Sequence, residues 1–341
     1  MASWIRRLGT KQRGFRYVDV SDRAIRDRKT LARIDALRVP PAWTDVHIAP
    51  STRSSIQAWG FDAKGRKQYR YNERAVERRE LRKYHRVRQL AKELPRVRRA
   101  LHGDARPAAR ANTLDADTVA ATVLRLISET FCRIGNERYE KENGTFGITT
   151  LRKVHVDVNG KRARFEYKGK SSIRQRQTIV DPELVKLVAR QMRTPGSRVF
   201  SYSRNGRWTT LTSRDVNEYL RKRVGHYSAK DFRTWGGTLR AATVLAELGA
   251  AKSETEGKRN VALAMRLVSS ELGNTPTICR KSYVHPMVIA RYLDDGETIS
   301  LPRSRRTAAN RGQAHSPEER ALIAFLDRHF PERRRRPRAE P

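Results

Sequence analysis

The spacing of apolar residues changes along the chain, and the change divides it. Up to about residue 72 they come in short runs. Residues 16–20, 46–48, Ile56–Phe61 and Lys67–Tyr71 are strand-like, and Asp62-Ala63-Lys64-Gly65 is a turn signal between the last two. Ile25, Leu31, Ile34 and Leu37 fall near one stripe and predict a helix over 21–37. Val39-Pro40-Pro41-Ala42-Trp43 ends it, because proline lacks the N–H and restricts the residue before it. Over 73–101 the period is helical: Leu81, Tyr84, Val87, Leu90 and Leu94 recur at three and four in a highly charged background. This long helix is expected to bridge two domains, with a basic face either solvated or laid along a polyanion.

Beyond Asp115 the pattern is mainly helical. Val119, Val123, Leu126, Ile127 and Phe131 form an apolar stripe, with Asp117 as the expected N-cap and Gly135 past the end. Residues 154–158 and Arg162–Lys168 flank Asn159-Gly160, a hairpin signal. Residues 183–192, Ser213–Arg223, 238–248 and 261–272 predict four further helices, with Gly249 and Gly273 as C-terminal glycines. After Asp295 the chain turns polar: 303–312 reads as a linker, 317–330 as a short amphipathic helix and 333–338 as a basic tail that adds nonspecific phosphate contacts. The expected domains are 1–90, an N-terminal binding lobe, 91–300, a catalytic lobe, and 301–341, the linker, helix and tail.

Charge narrows the partner. The 341 residues carry 73 Lys+Arg against 36 Asp+Glu, a formal net charge of +37. Such an excess is the footprint of a polyanion binder. Codon bias can raise arginine over lysine but does not explain so few acids. From charge alone, nucleic acid is favoured over an anionic membrane. No run reaches the ~18–20 apolar residues of a membrane span. Cys132 and Cys279 are too few for a disulfide framework or a zinc site and fit a reducing compartment. MASWIRRLGTKQRGF lacks the apolar segment of a signal peptide. A soluble, cytoplasmic protein associated with the nucleoid is expected.

Five residues read together as one active site: Arg133, Lys170, Arg233, Asn274 and Tyr283. Tyr283 lies in LGNTPTICRKSYVHP, where Thr275 can cap a helix with Pro276 at its first position. Arg280 and Lys281 beside it are cations that favour a phenolate and hold phosphate. A tyrosine attacking a phosphodiester conserves bond energy, so rejoining needs no ATP. Arg133 and Arg233 suit the non-bridging oxygens, because the guanidinium fork stays charged and binds phosphate in two places. Asn274 can donate one more hydrogen bond. Lys170, after the second hairpin strand, suits protonation of the leaving alkoxide. Taken singly, each of these residues is an ordinary surface or core side chain. Gly169-Lys170-Ser171 is not a phosphate-binding P-loop, because position 164 is arginine where the first glycine is required. Asp294-Asp295 is a close acidic pair that could hold magnesium, with a helix-end turn as the plainer reading, and the eight histidines show no ligand spacing. No metal and no cofactor are expected.

FCRIGNERYEKENGTFGITTLRKVHV, the hairpin ending in FEYKGKSS, KDFRTWGGT and LGNTPTICRKSYVHP together resemble type IB DNA topoisomerases of the compact poxvirus-like and bacterial kind. The resemblance runs in order from about Pro40 to Tyr292. By it, Arg133, Lys170, Arg233 and Tyr283 fall on catalytic positions, and Asn274 falls where viral members have histidine. Lys168 competes with Lys170 as general acid, and the Gly-Lys pairing favours Lys170. GFDAKGRKQYRYN is similar to a groove-binding segment, which implies that Gln68, Tyr69 and Tyr71 contact DNA and Lys67 a phosphate. The fold implied is α+β: a bilobed clamp, with a small β-rich N-terminal lobe and a larger, mainly helical catalytic lobe of the tyrosine recombinase/topoisomerase IB type. The expected action is relaxation of supercoiled duplex DNA by a monomer, through a 3′-phosphotyrosine, without ATP or metal. A tyrosine recombinase shares the catalytic lobe and is the alternative; GRKQYRY and the mixed N-terminal lobe favour the topoisomerase. A DNA-packaging protein without chemistry would not need the ordered constellation.

Overall fold

The computed structural model describes residues 4–106, 114–301 and 314–330. The expected linker over 303–312 and tail over 333–338 lie outside these residues. Contacts divide the chain into two units, Met1–Lys83 and Tyr84–Pro341, so the boundary falls inside the long helix.

The first unit is a five-stranded antiparallel sheet of order β2-β1-β3-β4-β5, with β1 at Ile5–Thr10, β2 at Gly14–Val18, β3 at Thr44–Ile48, β4 at Ile56–Phe61 and β5 at Lys67–Tyr71. Helix α1, Arg28–Ala36, buries Ile34 against Ile5, Val46, Ile48 and Ala58. It is shorter than the apolar stripe predicts. Asp27 caps it by accepting from the Thr30 N–H, while the Asp19 carboxylate draws the Ser21 and Arg23 amides into a turn. β1 carries too weak an alternation to be seen in the sequence: it pairs Ile5 with Ile48 and is otherwise part-exposed. Helix α2, Glu73–Ala105, starts in this unit.

In the second unit α3, Ala116–Thr130, is buried from Thr118 through Ile127, so it is the central helix. Asp115, not Asp117, is its N-cap, accepting from the Thr118 N–H at 2.7 Å. It ends at Phe131 in the left-handed conformation rather than at Gly135. Around it lie α4 (Glu137–Asn143), a three-stranded sheet of β6 (Val156–Asn159), β7 (Arg162–Lys168) and β8 (Arg174–Ile179), α5 (Pro182–Met192), the hairpin β9 (Ser201–Arg204) and β10 (Arg207–Thr210), and α6 (Ser213–Arg223). Then come α7 (Ala229–Leu248), α8 (Glu254–Leu272), α9 (Pro276–Ser282), α10 (Pro286–Asp295) and α11 (Pro317–His329). The architecture is α+β. Helices α7 and α8 begin earlier than the periodicity predicts, because tertiary packing overrides the glycines and charges that precede the expected starts. Among the described residues no helix is long and apolar enough to cross a membrane.

Candidate active site

Four of the five expected residues come together around the start of α7. Arg233 sits on the second turn of α7, 3% exposed. Its guanidinium donates to the Phe131 carbonyl and, at 3.0 Å, to the Leu272 carbonyl. The left-handed backbone at Phe131 (φ 52°) turns the chain out of α3 just before Arg133. Arg133 donates to the Gly273 carbonyl at 2.9 Å and to the Asn274 side-chain oxygen. The Arg233 guanidinium lies 5.0 Å from the centre of the half-buried Tyr283 ring. Burial pushes the Tyr283 phenol up, but the charges of Arg233, Arg133 and Lys230 outweigh it and hold the phenol below ordinary tyrosine. Burial and the neighbouring Arg233 charge in turn lower Arg133.

The cations that act most on Tyr283 are therefore distant from it in sequence. Arg280 and Lys281 are exposed on α9. Lys230, which the sequence did not single out, takes their expected role from the first turn of α7.

The double glycine in KDFRTWGGT explains how the tyrosine fits. A Cβ on Gly236 would lie 2.4 Å from the Phe131 ring, and one on Gly237 would lie 2.7 Å from the Tyr283 carbonyl oxygen and 3.2 Å from its Cβ. The next residue, Thr238, fixes the same segment. Its hydroxyl lies 3.3 Å from the Tyr283 carbonyl oxygen and accepts from the His285 N–H at 3.0 Å. Two adjacent glycines inside a helix oppose propensity, and that conflict was the visible signal for this close approach. Thr275 caps α9 as expected, with Pro276 at its first position, and α9 delivers Tyr283 at its C-terminal end.

Lys170 is not drawn into this cluster. It is exposed on the β7–β8 connection, where Ser171 and Ser172 both take positive φ. The base of the connection is nonetheless tied to the site. The Phe146 N–H donates to the Lys168 carbonyl at 2.8 Å, and the Gln177 amide donates to the Glu271 carbonyl at 3.4 Å. Gln175 also packs so closely on Gly273 that a Cβ there would meet its amide. Lys168, the competitor, is likewise exposed, at the end of β7. Asp294 and Asp295 close α10, where Asp295 pairs with Arg291 at 2.6 Å.

The remaining expected contacts lie on β5 in the first unit. Lys67, Tyr69 and Tyr71 alternate onto one face. The Lys67 ammonium lies 3.5 Å from the centre of the Trp59 ring, and Tyr69 and Tyr71 stack at 5.8 Å, each about two-fifths exposed. Gln68 points the other way, and its amide donates to the Asp62 carboxylate at 2.9 Å.

A phenol held below its usual pKa by two guanidiniums, both anchored to backbone carbonyls, is equipped for nucleophilic attack on a phosphodiester. The chain belongs to the type IB DNA topoisomerases. Residues 64–305 match the family described as eukaryotic DNA topoisomerase I, catalytic core, and residues 14–62 match the bacterial DNA topoisomerase IB N-terminal domain. The chain is 32% identical over 281 residues to DNA topoisomerase 1B of Acanthamoeba polyphaga mimivirus, covering 79% of this chain and 82% of that protein. It is 21% identical over 264 residues to DNA topoisomerase 1B of vaccinia virus (strain Copenhagen), covering 76% and 80%. A shorter match, 28% over 174 residues, covers 50% of this chain and 20% of DNA topoisomerase 1 of Schizosaccharomyces pombe.

Proposed function

We propose that the chain relaxes supercoiled duplex DNA by cutting and rejoining one strand through Tyr283. The phenolate attacks the phosphorus, the bond to the 5′ oxygen breaks, and a 3′-phosphotyrosine and a free 5′ hydroxyl result. Arg133 and Arg233 take the non-bridging oxygens, with Asn274 as a further donor, and loss of one such donor typically costs ~10²–10³ in rate. Lys170 protonates the leaving 5′ oxygen as its exposed loop folds onto DNA. Religation reverses the steps, so neither ATP nor metal enters them. Lys67, Tyr69 and Tyr71 from one face of β5, and Gln68 from the other, contact the duplex, and a monomer closes on it as a bilobed clamp. Its setting is the nucleoid of the cytoplasm. The domain division 1–90, 91–300 and 301–341 is part of this reading.

The observation that carries the proposal is the Tyr283 phenol beside the Arg233 guanidinium and held down by the charges of Arg233 and Arg133, in a chain of this family. The test is plasmid relaxation in EDTA without ATP, at less than one protein per plasmid, on both signs of supercoil. Catalytic relaxation of both supports it. Absence of relaxation, with strand exchange between two defined sites, would replace it by the recombinase.

A further inference from the structure

The helix α11 lies beyond the residues that match the family core, 64–305, where the sequence predicts a short amphipathic helix. Its contacts place it elsewhere. Glu319 on its first turn is 3% exposed. The carboxylate accepts from both ends of the Arg98 guanidinium, at 2.9 and 2.8 Å, and from the Trp235 indole N–H at 3.3 Å. It also accepts from the Ser316 N–H at 2.9 Å, which closes α11's own capping box. Leu322, Phe325 and Leu326 of α11 are buried in the same core as α7.

Helix geometry gives these contacts their consequence. Residues three and four apart share a face, and residues two apart sit on roughly opposite faces. Arg233, Gly236 and Gly237 therefore form one face of α7, the face that meets Phe131 and Tyr283. Asp231 and Trp235 form the opposite face. Asp231 is held by Arg86 at 3.0 and 2.8 Å, and Trp235 by Glu319, itself held by Arg98. Both arginines belong to α2, twelve residues and so about 18 Å apart along its axis. The back of α7 is thus pinned at two consecutive turns. The second pin is supplied by a helix outside the family core.

We infer that Glu319 is a positioning residue for strand cleavage: it holds Trp235 so that the opposite face of α7 keeps Arg233 and the glycine pair against Tyr283. The inference rests on the proposed function for the reaction it serves. Its test separates the two. Glu319→Gln keeps the shape but leaves an amide N–H₂ facing donors, and Trp235→Phe keeps the ring but removes the indole donor. Covalent adduct formation is measured under single turnover across pH, beside duplex affinity, thermal melting, and hydrogen exchange of residues 229–248.

For both variants, adduct formation should slow about tenfold, the scale expected when a reacting group shifts by a fraction of an ångström. Duplex affinity should stay within twofold. The rise of rate with pH should move to higher pH, because Tyr283 loses part of the guanidinium field, and exchange in α7 should quicken. A lower melting temperature with a pH profile that superimposes on wild type, and with α7 exchange unchanged, would overturn the inference and leave α11 a packing element. If the wild-type protein forms no adduct, the proposed function fails. The exchange arm still decides whether Glu319 fixes α7: unchanged protection overturns that too.

Discussion

Gly237→Ala tests the site at its tightest point. The added methyl would stand 2.7 Å from the Tyr283 carbonyl oxygen, 3.1 Å from Leu272 Cδ1 and 3.2 Å from Tyr283 Cβ. Ordinary contact for such atoms begins near 3.4 Å, so the Tyr283 backbone must retreat by about 0.7 Å or α7 must tilt. A catalytic group tolerates about 0.5 Å of misplacement, and 1 Å can cost ~10²-fold. Cleavage should therefore slow by ~10–100-fold. Stability should change much less, since alanine gains ~1 kcal/mol over glycine in a helix and overpacking costs ~1–3 kcal/mol. The assay is single-turnover adduct formation on a duplex carrying a short leaving strand, with duplex affinity and melting measured on the same protein. Gly103→Ala is the control, because a Cβ at that helical position meets nothing within 4 Å. It should leave cleavage unchanged and stabilise slightly. Cleavage by Gly237→Ala within twofold of wild type, with folding intact, would refute the claim that this glycine sets the tyrosine's position.

The other expectations address the remaining parts. Tyr283→Phe should bind duplex like wild type and form no adduct; an adduct trapped in this variant would remove Tyr283 as nucleophile. Lys170→Ala should slow cleavage strongly on ordinary DNA and much less when the leaving 5′ oxygen is sulfur; without that rescue, Lys168→Ala is the next variant. Because Arg233 and Arg133 hold the phenol down, cleavage should rise with pH at lower pH than free tyrosine would dictate, and Arg233→Gln should move the rise upward as well as slow it. An unmoved profile would dissociate the guanidinium from the phenol. Binding should weaken with salt at about −0.9 in log K per neutralised phosphate, and removing the residues after Pro331 should lower the slope modestly without abolishing cleavage. Loss of low-salt cleavage on that truncation would make the basic tail essential.

What the sequence showed followed the range of the forces involved. Local signals came through. β5 and α6 match their expected bounds, and Thr275 and Pro276 start α9 as capping chemistry requires. The β6–β7 hairpin is present, although Gly160 and Lys161 form its loop and Asn159 pairs with Arg162. An equal signal went unused: Asn205-Gly206 turns β9 into β10 with positive φ at both residues. The tyrosine and both arginines were legible because the resemblance covers their motifs. Long-range contacts were not. Nothing local links Glu319 to Trp235, Gln175 to Gly273 or Lys230 to Tyr283, since each pair meets only after folding. The start of α7 was hidden by the glycines that matter there: propensity disfavours them and close packing requires them.

The two guanidiniums of the site are held by the carbonyls of Phe131, Leu272 and Gly273 and by one amide oxygen, and among the described residues neither pairs with a carboxylate. Elsewhere the unit neutralises buried arginine with aspartate or glutamate, as at Arg88 and Arg125. The resting site therefore keeps an uncancelled positive charge that the bare protein must tolerate at some cost in stability. A carboxylate at position 274 would complete an ion pair with Arg133 and relieve the repulsion, while occupying the charge meant for phosphate. The amide at that position keeps the shape of an acid and withholds its charge. On the proposed function, a carboxylate at residue 274 would gain stability and lose activity.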